Sequence, residues 1–353
     1  MWSTFLFLII ILLTSSCSQE EENGGAQEDF TDEDNSPGTV LLFFTVTDIE
    51  KLPHAAPSTT GLPNNTVITV LPNNTIRSAI STDGYHFTIH PEHWITHEDM
   101  MDPAVWLGDD SLWMLTSSTV NGRLRFTFAR PCPNFIHDSF TVLESFSTPQ
   151  EGEDGRIVSV SGGIPDIISV PGGYRLFYAG EGGIQSMFSS DGRNYTKEEG
   201  LRLALTDDMP VSVIADPAVA RRADGSYVMY FKAIPTIFGT SSSPYDHNMY
   251  RATSKDSITF VAEDMEKPLL EHVSIPGIYT DALDRVWVYY LNFAAGWPEE
   301  FETVWATYEE KDYTLREPQE VTFTPALLES EFINDPDPLL LPEDFDFSKC
   351  TRE

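Results

Sequence analysis

The sequence predicts an all-β protein, a five-bladed β-propeller, and three observations predict it. Two kinds of strand unit alternate along the chain, their repeat distance suits one four-stranded blade, and 24 Pro and 22 Gly are spread over 353 residues. Proline and glycine mark turns, so many short strands are expected. An apolar content of 41%, with 12% aromatic residues, indicates a large core.

The first repeated unit is an Asp-Pro or related pair that opens a strand of aromatic and aliphatic residues. Its copies begin at Asp102-Pro103, Pro165-Asp166, Asp216-Pro217, Pro276-Gly277 and within Asn334–Leu341. These starts lie about 50 to 64 residues apart, and one such period holds two hairpins, the content of a four-stranded blade. Five starts therefore predict five blades.

The second unit is a strand, a Ser-x-Asp turn and an aromatic residue that begins the return strand. Its copies are Ile76–Phe87, Ile184–Tyr195 and Met249–Phe260. An Asp-Gly pair supplies the positive φ angles of a tight hairpin. A hairpin unit comes first in the chain and an inner strand comes last. The two form one blade only if 39–90 pairs with 335–341, which would close the ring and remove exposed sheet edges.

The chain is strongly acidic, with 21 Lys+Arg against 55 Asp+Glu and a formal net charge of −34. The phosphates of a nucleic acid, or an anionic membrane surface, would repel such a chain. Both are therefore excluded as partners, and a monomer is expected.

Residues 1–17 are predicted to be a signal peptide, 18–38 an acidic flexible tether and 39–353 the propeller domain. The apolar run 5–13 is shorter than the roughly 20 residues that span a bilayer. The stretch that ends at Cys17 resembles a bacterial lipobox, which predicts lipidation of Cys17 and a place in the cell envelope. The alternative is an ordinary cleaved signal and secretion.

Of two further cysteines, Cys132 lies in the early part of the predicted domain and Cys350 among its last residues. Export would permit a disulfide between them. Two separate thiols are the alternative, and the sequence leaves both open.

The starts of the inner strands are expected to converge on the axis of the propeller. Their carboxylates, Asp102, Asp166, Asp216 and either Asp335 or Asp337, would then share one pocket. Such groups push one another's pKa values apart, which lets one act as a base while another acts as an acid. The alternative is that Asp before Pro only shapes a turn.

Other residues are expected near this pocket, to balance charge, to stack on a sugar or to rim the opening. Arg221, Arg222, Lys232, Trp106 and Tyr230 are the candidates for charge balance and stacking. His97 closes a cluster with His86, His90 and His93, which predicts a metal site, a pocket rim or a plain loop role. No cofactor is predicted, except that calcium would suit axial carboxylates.

The Asp-Pro strands and Ser-x-Asp-Gly hairpins resemble those of the five-bladed propeller glycoside hydrolases, the clan of families 43, 32 and 62 with the related family 130 phosphorylases. The resemblance implies a glycan substrate, with Asp102 as base and Asp166 or Asp216 as an orienting carboxylate. It also implies a Glu as acid at the start of the fourth inner strand, where this chain has Ile275–Tyr279. Glu271 or Glu181 is then the candidate acid.

Two functions follow as expectations. The first is a secreted, surface-anchored glycoside hydrolase with Asp102, Asp216 and Glu271 as catalytic residues. Its substrate contacts would be Asp166, Trp106, Glu181, Arg221, Asp335 and His97. The second is a non-catalytic propeller that binds a glycan or a protein at the cell surface, which the missing Glu favours.

Overall fold

The computed structural model describes residues 36–48, 74–89, 100–108, 112–120, 123–129, 145–146, 164–192, 194–236, 246–294, 303–328 and 331–345. In this part of the chain no helix is long and apolar enough to cross a membrane. The regular elements of these residues are all β-strands. In chain order they are β1 (Val40–Asp48), β2 (Asn74–Ser81), β3 (His86–Ile89), β4 (Met100–Leu107), β5 (Leu112–Val120), β6 (Arg123–Ala129), β7 (Ser145–Phe146), β8 (Asp166–Val170), β9 (Gly173–Gly180), β10 (Gly183–Ser189), β11 (Thr196–Lys197), β12 (Leu203–Ala204), β13 (Val211–Arg221), β14 (Tyr227–Pro235), β15 (Asn248–Ser254), β16 (Val261–Ala262), β17 (Leu270–Glu271), β18 (Val273–Thr280), β19 (Val286–Asn292), β20 (Thr303–Glu309), β21 (Gln319–Glu320), β22 (Thr322–Thr324) and β23 (Glu331–Leu340).

The strands form five sheets, four of them built from consecutive strands. The first sheet holds β4–β7, the second β8–β12, the third β13–β17 and the fourth β18–β21. The fifth sheet combines both ends of the domain in the order β22-β3-β2-β1-β23. In it Val40 lies opposite Leu340 and Thr47 opposite Phe332. The predicted pairing of N-terminal strands with the C-terminal strand is therefore confirmed.

Neighbouring sheets pack through separate apolar cores. The described residues contain five such clusters, one between each sheet and the next. One of them joins the fifth sheet to the first through Phe43, Val105 and Met114. The opening strands β4, β8, β13 and β18 and the closing strand β23 contact one another in that order, and β23 also contacts β4. The predicted all-β propeller is confirmed, with these inner strands around a common axis.

The predicted Ser-x-Asp hairpins form as expected. In each turn the serine hydroxyl donates a hydrogen bond to the Asp carboxylate. The pairs are Ser81–Asp83 at 2.9 Å, Ser189–Asp191 at 2.7 Å and Ser254–Asp256 at 2.9 Å. The following aromatic residues, Phe87, Tyr195 and Phe260, are buried. These turns aim one large side chain each into the cores between sheets.

Four inner strands share a β-bulge at their X-Pro pair. The ladder register shifts at Asp102, Asp216, Ile275 and Asp335, whose φ angles are 54°, 48°, 59° and 54°. Positive φ is uncommon for residues other than glycine, and a bulge re-aims a side chain. Because Ile275 shares the conformation, the bulge belongs to the fold, and the side chain at this position decides the chemistry.

Gly277, two residues beyond the fourth bulge, allows two inner strands to approach closely. A Cβ at this position would lie 2.0 Å from the carbonyl oxygen of Pro336 on β23. Only glycine fits without movement of backbone, so the fourth and fifth inner strands meet tightly beside the axis.

Candidate functional site

The bulges bring three aspartates, Asp102, Asp216 and Asp335, to one level at the axis. The backbone N–H of Asp102 donates to Asp335 Oδ2 at 3.3 Å, and the charge of Asp216 acts on Asp335. In the second and fourth inner strands Ile164 and Ile275 take this position. The N–H of Ile164 donates to Asp216 Oδ1 at 3.1 Å. We call Asp102, Asp216 and Asp335 the upper carboxylates.

The upper carboxylates differ in their access to solvent. Asp216 is 3% exposed and Asp335 6% exposed, whereas Asp102 is only half-buried. A ligand on the axis would therefore meet Asp102 first. Asp335, predicted to contact substrate, instead turns its carboxylate toward Asp102, which corrects the expectation of a direct substrate contact.

Lys232 supplies a cation to this group. It lies opposite Ala215 in the β13–β14 ladder, one residue before Asp216. Its ammonium forms an ion pair with Asp216. The prediction that Lys232 balances axial charge is therefore confirmed.

His247 is a neighbour of Lys232 that the sequence did not indicate. Burial, and then the charge of Lys232, lower its pKa to about 3, so its ring is neutral near neutral pH. Its Nδ1 lies 3.0 Å from the hydroxyl of Ser274. His247 lies just before β15 and outside both repeated units, so no sequence signal placed it near the axis.

A second pair of aspartates, Asp166 and Asp337, lies two residues further along the inner strands. The N–H of Val219 donates to Asp166 Oδ2, and that of Val105 to Asp337 Oδ2, both at 2.5 Å. Burial raises the pKa of Asp166 to about 7. Burial, and then the charge of Asp166, raise the pKa of Asp337 well above its usual range. We call these two residues the lower carboxylates.

The position of Asp166 corrects the sequence alignment. The sequence placed it with Asp102 and Asp216, but there the proline follows the aspartate, whereas Pro165 precedes Asp166. The ladders show the consequence, because Asp166 lies opposite Phe177 as Ala218 lies opposite Tyr230. Asp166 is therefore a lower carboxylate.

Neither predicted acid joins the upper carboxylates through any contact of the described residues. Glu271 is exposed on β17, which pairs with β15 in the third sheet. Glu181 is exposed in the turn between β9 and β10. The roles predicted for these two glutamates remain predictions without geometric support.

Two predicted substrate contacts are corrected. Trp106 is 3% exposed and lies in the core between the first and second sheets, 6.2 Å from the ring of Trp113. It has no free ring face for a sugar. Arg221 ends β13, five residues past Asp216, with its guanidinium 6.0 Å from the ring of Tyr227. It therefore belongs to a hairpin turn, away from the bulge.

Some predicted residues lie outside the described part of the chain. They are Cys17, His90, His93, His97, Cys132 and Cys350. His86 is described and lies exposed in a hairpin turn, with its Nδ1 2.7 Å from Asp83. Within the described ranges no group of three or more His, Cys, Asp or Glu could hold a metal ion.

A surface pocket of about 400 Å³ lies elsewhere, between β12 and β16. Its walls include Leu203, Met209 and Phe260, with Asp208 and Glu266 among the acidic residues. It shares no residue with either carboxylate layer, and its carboxylates show no converging geometry. The candidate site is therefore the axis.

The fold and the site define an all-β propeller whose axis is lined by carboxylates. No family model matches the chain, and no curated protein matches it. Among the solved structures that are similar to it, three serve as examples. They are an endo-arabinase from Bacteroides thetaiotaomicron (14% identity, 65% of this chain and 84% of that one, TM-score 0.46), a glycosyl hydrolase from Bacteroides ovatus (15%, 70% and 78%, 0.49) and an α-L-arabinanase from Cellvibrio cellulosa complexed with arabinohexaose (13%, 71% and 90%, 0.48). Because these scores are low, the fold assignment rests on the strand order itself.

Proposed function

We propose that this protein is a glycoside hydrolase-like enzyme that acts on a glycan through its axial carboxylates. The observation that carries the proposal is the convergence of Asp102, Asp216 and Asp335 at one level, with Lys232 on Asp216. Hydrolysis of a glycosidic bond needs carboxyl groups that exchange protons with substrate and water. Perturbed carboxyl groups that converge in one place are the usual sign of such chemistry.

In this proposal the three upper carboxylates have different roles. Asp102 is the accessible one and exchanges protons with the substrate. Asp216 is held by Lys232 and orients the group, as the sequence predicted for an orienting carboxylate. Asp335 contacts Asp102 from the buried side.

The arrangement of the whole protein is part of the same proposal. The five sheets are the five blades of a closed ring, which acts as a monomer. Lipidation at Cys17 would anchor that ring to the cell envelope through the acidic tether 18–38. Mass spectrometry of the exported protein tests the anchor, since a mature chain that begins elsewhere than Cys17 would refute it.

The enzyme proposal is tested by Asp102→Asn against arabinan, xylan and mannan, with released reducing sugar as the readout. Wild type is expected to release sugar from at least one of them. The variant should lose about a hundredfold or more of that activity, the usual contribution of proton transfer. Asp224→Asn is the matched control, because Asp224 is exposed in a turn. Activity of Asp102→Asn equal to that of the control would remove Asp102 from the mechanism.

A second candidate is a propeller that binds a glycan without cleaving it. It is favoured by Ile164 and Ile275, which take the corresponding positions on the second and fourth inner strands, because no Glu stands at this level on any of the five inner strands. Calorimetric titration with the same glycans separates the two functions. Saturable binding without sugar release would establish the second candidate, and release would exclude it.

A further inference from the structure

The side chains of Asp102 and Asp335 bring two carboxyl groups into contact. The two side chains are hydrogen-bonded to each other, and the backbone N–H of Asp102 also donates to Asp335. A carboxylate has no hydrogen to donate, so a hydrogen bond between two carboxyl groups requires one proton. Two carboxyl groups in hydrogen-bond contact cannot both be ionised without a large cost in free energy.

The surroundings of Asp335 favour retention of that proton. Asp335 is buried on β23, and the groups that act on it are Thr45 of β1, Asp102 of β4 and Asp216 of β13. Lys232, a cation at this level, is bound to Asp216. Asp337, further along β23, lies close enough to Asp166 for the charge of Asp166 to raise its pKa. Burial raises the pKa of Asp335 to about 6, with the charge of Asp216 acting in the same direction.

We propose that Asp102 and Asp335 share one proton, and that Asp335 is a positioning residue that makes the accessible Asp102 the proton donor of the axial site. This inference rests on the proposed function. It assigns the acid to Asp102 on β4, positioned by Asp335 of β23, whereas the resemblance implied a glutamate at the start of the fourth inner strand. It also changes the predicted role of Asp102 from base to donor while the pair holds its proton.

The proton passes from Asp102 to the glycosidic oxygen as the bond from that oxygen to the anomeric carbon breaks, which leaves the pair doubly ionised. A water oxygen forms the new bond to the anomeric carbon. The proton that this water loses restores the singly protonated pair, so no other reactant is needed.

The shared proton is tested without any substrate. Carbon-13 NMR of the side-chain carboxyl groups, in aspartate-labelled protein, follows each titration. A carboxyl signal with a midpoint near pH 6 is expected in wild type. It should be lost in both Asp335→Asn and Asp102→Asn, because either change removes one side of the pair.

Asp337→Asn is the matched control, since Asp337 lies two residues further along the same strand. It should retain the signal near pH 6. If Asp335→Asn does not fold, Asp102→Asn carries the same test. Survival of an unshifted signal in Asp102→Asn, or no carboxyl titrating above the usual range, would overturn the shared proton.

The positioning role is tested on a glycan that wild type cleaves. Turnover should fall as the pH rises above about 6. In Asp335→Asn that pH midpoint should shift by at least one unit, with kcat changed more than KM. A purely structural role would lower activity at all pH values alike. If no glycan is cleaved, the proposed function fails while the NMR result still decides whether the proton is shared.

Discussion

Glu309 and the upper carboxylates differ in how their negative charges are balanced by neighbouring cations. Glu309, at the end of β20, is fully buried and forms ion pairs with Arg222 and Arg251, while the hydroxyl of Tyr230 donates to it at 2.5 Å. Among the upper carboxylates, Asp216 pairs with Lys232, whereas the groups that act on the buried Asp335 are Thr45 and the other two carboxylates. Full pairing makes a charge part of the packing, whereas incomplete pairing leaves protons that can be exchanged.

The two arginines that pair with Glu309 make further contacts. Arg251 also pairs with Glu263, and the guanidinium groups of Arg222 and Arg251 lie 4.7 and 5.1 Å from the ring of Tyr313. Arg222 and Tyr230 belong to the third sheet and Glu309 to the fourth. The group therefore joins two sheets. This also corrects the prediction that Arg222 and Tyr230 serve the axis.

The largest expected effect comes from Glu309→Gln, which leaves the buried guanidinium of Arg222 without a counter-charge and Arg251 with Glu263 alone. The free energy of unfolding should fall by about 3–5 kcal/mol, measured by urea denaturation. Glu310→Gln is the control, because Glu310 pairs with Arg316 at the surface. That change should cost about 0–1 kcal/mol. Equal losses in the two variants would show that Glu309 is not the centre of a buried network.

Lys232→Met should lower the free energy of unfolding somewhat less, by about 2–4 kcal/mol in urea denaturation, because the buried Asp216 loses its cation. Adding Asp216→Asn should restore much of the stability, since the unpaired charge is then gone. A loss that persists unchanged in the double variant would mean that the lysine acts through packing alone.

The lower carboxylates predict how stability depends on pH. The pKa of Asp166 is raised by burial from 3.8 to about 7, so the folded protein holds a proton that the unfolded chain releases between these values. Its contribution to stability is full below about pH 4 and is lost as the pH rises through about 7. The slope is up to about 1.4 kcal/mol per pH unit for one proton. Thermal unfolding from pH 4 to 8 should show this decline, and Asp166→Asn should flatten it. A stability that rises over this range in wild type would contradict the prediction.

The smallest effect is expected for Arg221→Ala. Arg221 is exposed in a hairpin turn and contacts the ring of Tyr227. The free energy of unfolding should change by less than about 0.5 kcal/mol, and glycan binding should match wild type in the calorimetric titration. A clear loss of binding would return Arg221 to the site that the sequence predicted for it.

The upper carboxylates could be predicted from the sequence because one local pattern marks them. An Asp before a Pro at the start of an apolar strand produced Asp102 and Asp216, and the last copy left Asp335 and Asp337 as alternatives. Asp166 was misplaced because its proline stands on the other side, and only the ladder shows the shift of two residues. Trp106 was expected at the axis because it follows Asp102 closely in the chain. Its side chain instead lies in the core between two sheets.

The chain by itself determined the hairpins, the propeller and the pairing of its two ends, because turn residues and alternating strands act over a few residues and recur at a regular distance. The tertiary structure alone decided which carboxylates are paired. Glu309 lies 87 residues from Arg222 and 58 from Arg251, and Asp335 lies 233 from Asp102. Burial and charge at such contacts depend on neighbours that no local pattern names, and these neighbours separate a structural carboxylate from one that exchanges protons.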